Sequence, residues 1–175
     1  GDHHRIIEAV ETCLPVTAVM SIDEMACRLM GRERPLLAAL ELGRKVKATI
    51  RERVGPMLSS SVGLATSRYL AKVASDMEKP DGLVALTLDM LPDALRKLTL
   101  RDLPGIGVQT EKRLNEKGIH SMDDLLKLDW IALDMEIAQD RRVGQGDAAS
   151  VGDGLQKVER FANGTIELDV LDFKR

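Results

Sequence analysis

Apolar residues recur at helical spacing near the start of the chain, where Ile6, Ile7, Val10 and Cys13 share one face. Pro15 ends that helix, and residues 16–20, rich in β-branched side chains, predict a short strand. Residues 25–30 are apolar and few enough to be the returning strand, which puts Asp23 and Glu24 at or next to a hairpin turn before Gly31. Pro35 suits the first turn of a long amphipathic helix carrying Leu36, Leu40, Gly43, Val46 or Lys47, Ile50 and Val54, stopped by Gly55-Pro56. A strand over residues 58–65 follows, with Leu58, Ser60, Val62 and Leu64 on one face and the small Ser59, Ser61, Gly63 and Ala65 on the other. The small face suits close approach by another body, and tight helix packing explains it equally well. Thr66 or Ser67 caps a helix with the stripe Leu70, Val73, Ala74 and Met77. Lys79-Pro80-Asp81-Gly82 has turn chemistry, Pro fixing φ and Gly tolerating positive φ, and residues 83–88 read as one more strand.

Beyond residue 90 the strand signals cease. Leu91, Leu95 and Leu98 mark a short helix, and Leu103-Pro104-Gly105-Ile106-Gly107 is a sharp turn. The next helix runs through Leu114 to Lys117 and ends at Gly118, and Ser121 with Asp124 three residues on opens another. Residues 144–154 are polar and Gly-rich, residues 156–162 are helical, and the tail from Thr165 reads as the first residues of something that continues. An α/β part over residues 1–90 therefore precedes an all-α part over residues 91–164.

Composition changes this picture only a little. The 175 residues are 44% apolar and 2% aromatic, so the core must be aliphatic. No run of about 18 apolar residues is present to span a membrane. Cys13 and Cys27 lack CxxC spacing, which fits a reducing compartment and two buried or half-buried thiols rather than structural zinc. These features point to a cytoplasmic protein without a membrane partner. The net charge of −3 argues mildly against a dedicated nucleic-acid binder. It is unevenly spread, with a basic stripe at Arg44, Lys45, Lys47, Arg51 and Arg53 that is more often a solvated face than a DNA footprint.

Two motifs carry chemistry. Neighbouring strand residues point to opposite faces, so Asp23 and Glu24 serve one site only where the backbone turns. Such hard oxygen donors suit Mg²⁺, while spacing by itself favours a solvated acidic turn. Pro104-Gly105-Ile106-Gly107 fails as a dinucleotide fingerprint, because the third glycine is replaced by Thr110 and no strand precedes it. A Gly-Ile-Gly hairpin between two helices remains. It is either a plain turn or a phosphate site built from free N–H groups at a helix start, which would read no base sequence.

Taken together the chain resembles the Y-family translesion DNA polymerases, most of all the bacterial polymerase IV branch. The matching pieces stand in family order: Ser21-Ile22-Asp23-Glu24, Ser61-Val62-Gly63-Leu64-Ala65, the run from Leu70 to Asp76, Lys79-Pro80-Asp81-Gly82-Leu83, and Leu103 to Gly107 with Thr110 and Gly118-Ile119. The resemblance implies an α+β fold: a palm with a mainly antiparallel sheet packed by helices (residues 1–90), then a small all-α thumb with a helix-hairpin-helix (91–164). Residues 165–175 would begin the linker to a little finger. It implies a DNA-directed DNA polymerase working by two-metal phosphoryl transfer, with Asp23 and Glu24 as catalytic Mg²⁺ ligands. Arg68 and Lys72 would contact the incoming deoxynucleoside triphosphate, and Lys79, Gly105, Ile106, Gly107 and Thr110 the primer-template DNA. The family's first metal-binding Asp lies on an N-terminal strand, so one carboxylate ligand is expected to be missing here, and the chain alone is expected not to extend a primer. A sliding clamp would bind through a C-terminal segment that is not in the chain. Met25-Ala26 and Ser67-Arg68 depart from the family's usual residues, Ala with an aromatic and Asn-Lys. The alternatives are a catalytically inactive Y-family accessory protein, or a DNA-binding module acting through the hairpin.

Overall fold

The computed structural model describes residues 1–127 and 171–174. The polar loop expected over residues 144–154 and the helix over 156–162 lie outside the described residues. The chain divides into two units, Gly1–Thr87 with Thr165–Arg175, and Leu88–Gly164. The first boundary falls within three residues of the composition shift at residue 90. Within the tail, residues 171–174 form a strand paired with the first unit.

In the first unit, helix α1 (Asp2–Glu11) buries Ile6, Ala9 and Val10. Strands β1 (Ala18–Ser21) and β2 (Glu24–Ala26) form the expected hairpin, with Ser21 paired to Glu24 and only Ile22 and Asp23 between. The register shifts between Val19 and Ser21, so Met20 is an extra residue that bends the edge strand. The returning strand is shorter than expected, ending at Ala26.

Helix α2 (Leu36–Arg53) buries Ala39, Gly43, Val46 and Ile50. The stripe starts at Ala39 rather than Leu36, which is exposed along with Leu37. Strand β3 (Ser59–Ala65) is covered along almost its whole length, the mark of an inner strand enclosed on both faces. Its small face is occupied by α3 (Arg68–Met77). A Cβ at Gly63 would lie 1.9 Å from the Ala71 carbonyl oxygen, so helix and strand approach this closely only over glycine. Helix α3 is N-capped by Ser67, whose Oγ accepts from the Leu70 N–H at 3.2 Å.

Strand β4 (Leu83–Leu86) runs parallel to β3. The turn before it differs from expectation: Asp81, not Gly82, takes positive φ (65°). Gly82 is needed for space, because a Cβ there would lie 2.2 Å from the Glu78 carbonyl oxygen. Strand β5 (Leu171–Lys174) closes the sheet in the order β1-β2-β5-β3-β4, antiparallel to both β2 and β3. The sheet is therefore mainly antiparallel, as expected, with one parallel pair.

The second unit, among the described residues, holds three 3₁₀ turns and two helices, α4 (Val108–Glu116) and α5 (Met122–Leu126). Leu95, Leu100, Leu103, Ile106, Leu114, Ile119, Met122 and Leu125 are buried in it, and each fully buried aliphatic side chain contributes about 1.5–3 kcal/mol. Ser121 Oγ accepts from the Asp124 N–H at 3.2 Å, and Asp124 Oδ2 accepts from the His120 N–H at 3.0 Å, so the expected start of α5 is present.

Candidate active site

The two-residue turn puts Asp23 at the hairpin tip and Glu24 at the first position of β2, both half-buried. Local bonds fix the tip. The Ser21 hydroxyl donates to Asp23 Oδ1 at 2.8 Å, and the Ile22 carbonyl lies 2.7 Å from Nδ1 of His3 on α1. Ile22 itself points into solvent, 77% exposed.

Helix α3 supplies the cations. Lys72 forms an ion pair with Glu24, joining the helix to β2. Its ammonium also lies 3.4 Å from Asp76 one turn along, and Lys79 Nζ lies 2.6 Å from the same Asp76 carboxylate. Glu24, Lys72, Asp76 and Lys79 thus form a chain of alternating charge, each side chain 21–31% exposed. Arg68, in the first turn of α3, reaches the hairpin, with a guanidinium nitrogen 3.9 Å from the Met20 sulfur. Just before it, the Thr66 hydroxyl is buried with no hydrogen-bond partner among the described residues.

A second cluster fixes the turn after α3. Asp81 accepts from Lys47 at 2.8 Å and from Arg51, both on α2. The hydrogen bond from Lys47, then the charges of Lys47 and Arg51, hold the Asp81 carboxyl below the usual carboxylate range. Two of the five residues in the basic stripe are thereby engaged within the fold, while Arg44, Lys45 and Arg53 are exposed.

Asp23 and Glu24 are hard oxygen donors side by side, a set that fits Mg²⁺. Among the described residues no group of three or more His, Cys, Asp or Glu side chains is placed to hold a metal. At the backbone level, position 172 of β5 is in register with Glu24 on one side and Ser61 on the other.

In the second unit, Gly105 takes φ 90° and Gly107 stands before α4 in extended conformation, both exposed. Ile106 is 4% exposed, so its side chain belongs to the core and only its backbone faces the turn. The element before the turn is a single 3₁₀ turn (Leu100–Asp102) rather than a full helix. Thr110 is half-buried on α4. Of the site residues named from sequence, Glu24, Lys72 and Lys79 are linked by ion pairs, the two lysines sharing Asp76, while Asp23 stands next to Glu24 at the hairpin tip and Arg68 at the hairpin edge. Asp76 was missed as a participant, although its spacing of four from Lys72 was readable. His3 carried no sequence signal, because only the fold brings α1 to the hairpin tip.

Comparison with known proteins shows what the chain as a whole is similar to. The impB/mucB/samB family model matches residues 3–76. DNA polymerase IV of Pelotomaculum thermopropionicum is 37% identical over 123 residues, 70% of this chain and 30% of that protein. The chain is a homologue of the DinB-like, Y-family DNA polymerases. DNA polymerase IV of Moorella thermoacetica is likewise 37% identical over 121 residues, 69% of this chain and 30% of that protein. A DinB-family error-prone DNA polymerase from Sulfolobus solfataricus superposes with a TM-score of 0.70 at 27% identity, over 94% of this chain and 46% of that one. The chain spans about a third of the length of the curated relatives it matches. Its α+β fold is that of these Y-family enzymes, and no helix among the described residues is long and apolar enough to cross a membrane.

Proposed function

We propose that this chain is the palm and thumb of a translesion DNA polymerase that adds nucleotides to a primer 3′-hydroxyl. The observation that carries this is the Ser21–Glu24 hairpin, which holds two adjacent half-buried carboxylates, Asp23 at its tip and Glu24 paired with Lys72 of α3. Asp23 and Glu24 would hold Mg²⁺, which when bound activates the attacking oxygen and neutralises charge in an in-line displacement. Arg68 and Lys72, both on α3, are the residues for the incoming triphosphate. Lys79 and the exposed backbone of Gly105 and Gly107 at the start of α4 are those for the DNA backbone, in a contact that reads phosphate and not sequence.

The test is primer extension. The longer polymerase that contains this sequence is expected to extend a primer in Mg²⁺, and Asp23→Ala to abolish extension while leaving duplex binding in place. Loss of both activities, or of neither, would overturn the assignment. The chain of residues 1–175, covering about a third of its relatives, is expected not to extend a primer by itself. Robust synthesis by it would refute that expectation.

A further inference from the structure

Lys72 is engaged with a carboxylate that the proposed chemistry needs for metal. Its ammonium pairs with Glu24 across two elements and lies 3.4 Å from Asp76 on its own helix. The two carboxylates share one cation, and a metal ion competes with that cation for Glu24. An ammonium left beside a metal-bound Glu24 would repel the metal. A carboxylate one helical turn away accepts the displaced charge without a change of backbone.

We infer that Lys72 is a positioning residue. It holds Glu24 on α3 while the metal is absent and transfers to Asp76 when the metal takes Glu24. Asp76 is shared with Lys79 at 2.6 Å, so arrival of Lys72 loosens Lys79 from its partner. Metal entry at the hairpin is thereby coupled to the cation beside the Lys79-Pro80 turn. This rests on Glu24 being a metal ligand, as proposed above.

The test is titration of the 175-residue chain with Mn²⁺ alone, free Mn²⁺ being read by its electron paramagnetic resonance signal. Lys72→Met removes the competing charge and is expected to tighten Mn²⁺ binding about three- to tenfold, the modest size reflecting partial solvent exposure. Lys72→Arg keeps the charge and should stay near wild type. Asp76→Asn removes the second carboxylate and should weaken Mn²⁺ binding several-fold, a readout that remains if the Lys72→Met protein fails to fold. In a Glu24→Gln background, Lys72→Met should have no further effect. Unchanged or weaker Mn²⁺ binding by a folded Lys72→Met protein overturns the inference. So does a loss of deoxynucleoside triphosphate binding with Mn²⁺ affinity unmoved, which would make Lys72 a triphosphate contact only and leave the proposed function standing. Failure of the underlying site looks different: wild type would not bind Mn²⁺ at millimolar concentration, or Asp23→Asn and Glu24→Gln would leave its affinity unchanged.

Discussion

The two units differ in the groups they offer to a ligand, charged side chains in one and backbone N–H groups in the other. In the sheet unit, ionic groups distant in sequence meet across elements: Glu24 of β2 with Lys72 of α3, and Lys47 and Arg51 of α2 with Asp81 in the turn before β4. In the helical unit Arg96 pairs both with Asp93 three residues away and with Asp123 on α5. Its candidate ligand groups are backbone N–H groups at an exposed glycine turn. A site that positions metal and triphosphate needs side chains held to fixed geometry by packing. A surface that grips duplex of any sequence needs only phosphate-facing backbone.

That contrast can be broken most sharply at the hairpin. Asp23→Ala is expected to reduce primer extension by the longer polymerase below detection, with duplex affinity by fluorescence anisotropy nearly unchanged. Gly63→Ala tests whether the sheet unit depends on the close approach of β3 and α3. With a Cβ directed at the Ala71 carbonyl, it should cost about 3 kcal/mol in urea unfolding, at the upper end for overpacking.

Gly105→Ala asks the matching question of the helical unit. Alanine at φ 90° is strained by about 1–2 kcal/mol. Duplex binding should fall a few-fold and equally for unrelated DNA sequences, whereas an effect on one sequence alone would contradict a phosphate contact.

Asp81→Asn measures the ionic staple of the sheet unit. The folded pKa of Asp81 is lowered, so its contribution is present above the unfolded value of about 3.9 and is lost as pH falls through the folded value. With the side chain 36% exposed, the loss should be about 1 kcal/mol or less at neutral pH. The stability difference between wild type and variant should shrink as pH drops below about 4. Thr66→Val removes a buried hydroxyl that has no partner among the described residues, and is expected to be neutral or stabilising by about 1 kcal/mol in thermal melts.

Short-range chemistry made much of this legible. The hairpin around Asp23 and Glu24, the Ser67 and Ser121 caps, the glycine-rich turn before α4 and the shift near residue 90 follow from turn residues, caps and periodicity within a few positions. The same local rules misjudged α2, where Leu36 looked like core and is exposed while Ala39 is buried. A helical period fixes a stripe only to within a residue. At the Lys79-Pro80-Asp81-Gly82 turn the composition was right and the roles were not. Asp81 tolerates positive φ because Lys47 and Arg51 hold it, leaving Gly82 to answer a steric demand from Glu78.

By itself, then, the sequence determined the local elements and the motif order shared with the Y-family relatives, because these depend on neighbouring residues. Tertiary structure alone decided three further things. Residues 171–174 return from the far end of the chain to pair between β2 and β3, with Asp172 in register with Glu24. His3 reaches the hairpin tip. Lys72, read as a phosphate contact, pairs with Glu24. Each joins residues at least 19 positions apart, and no local preference encodes such a meeting, because what selects it is the burial of a shared core.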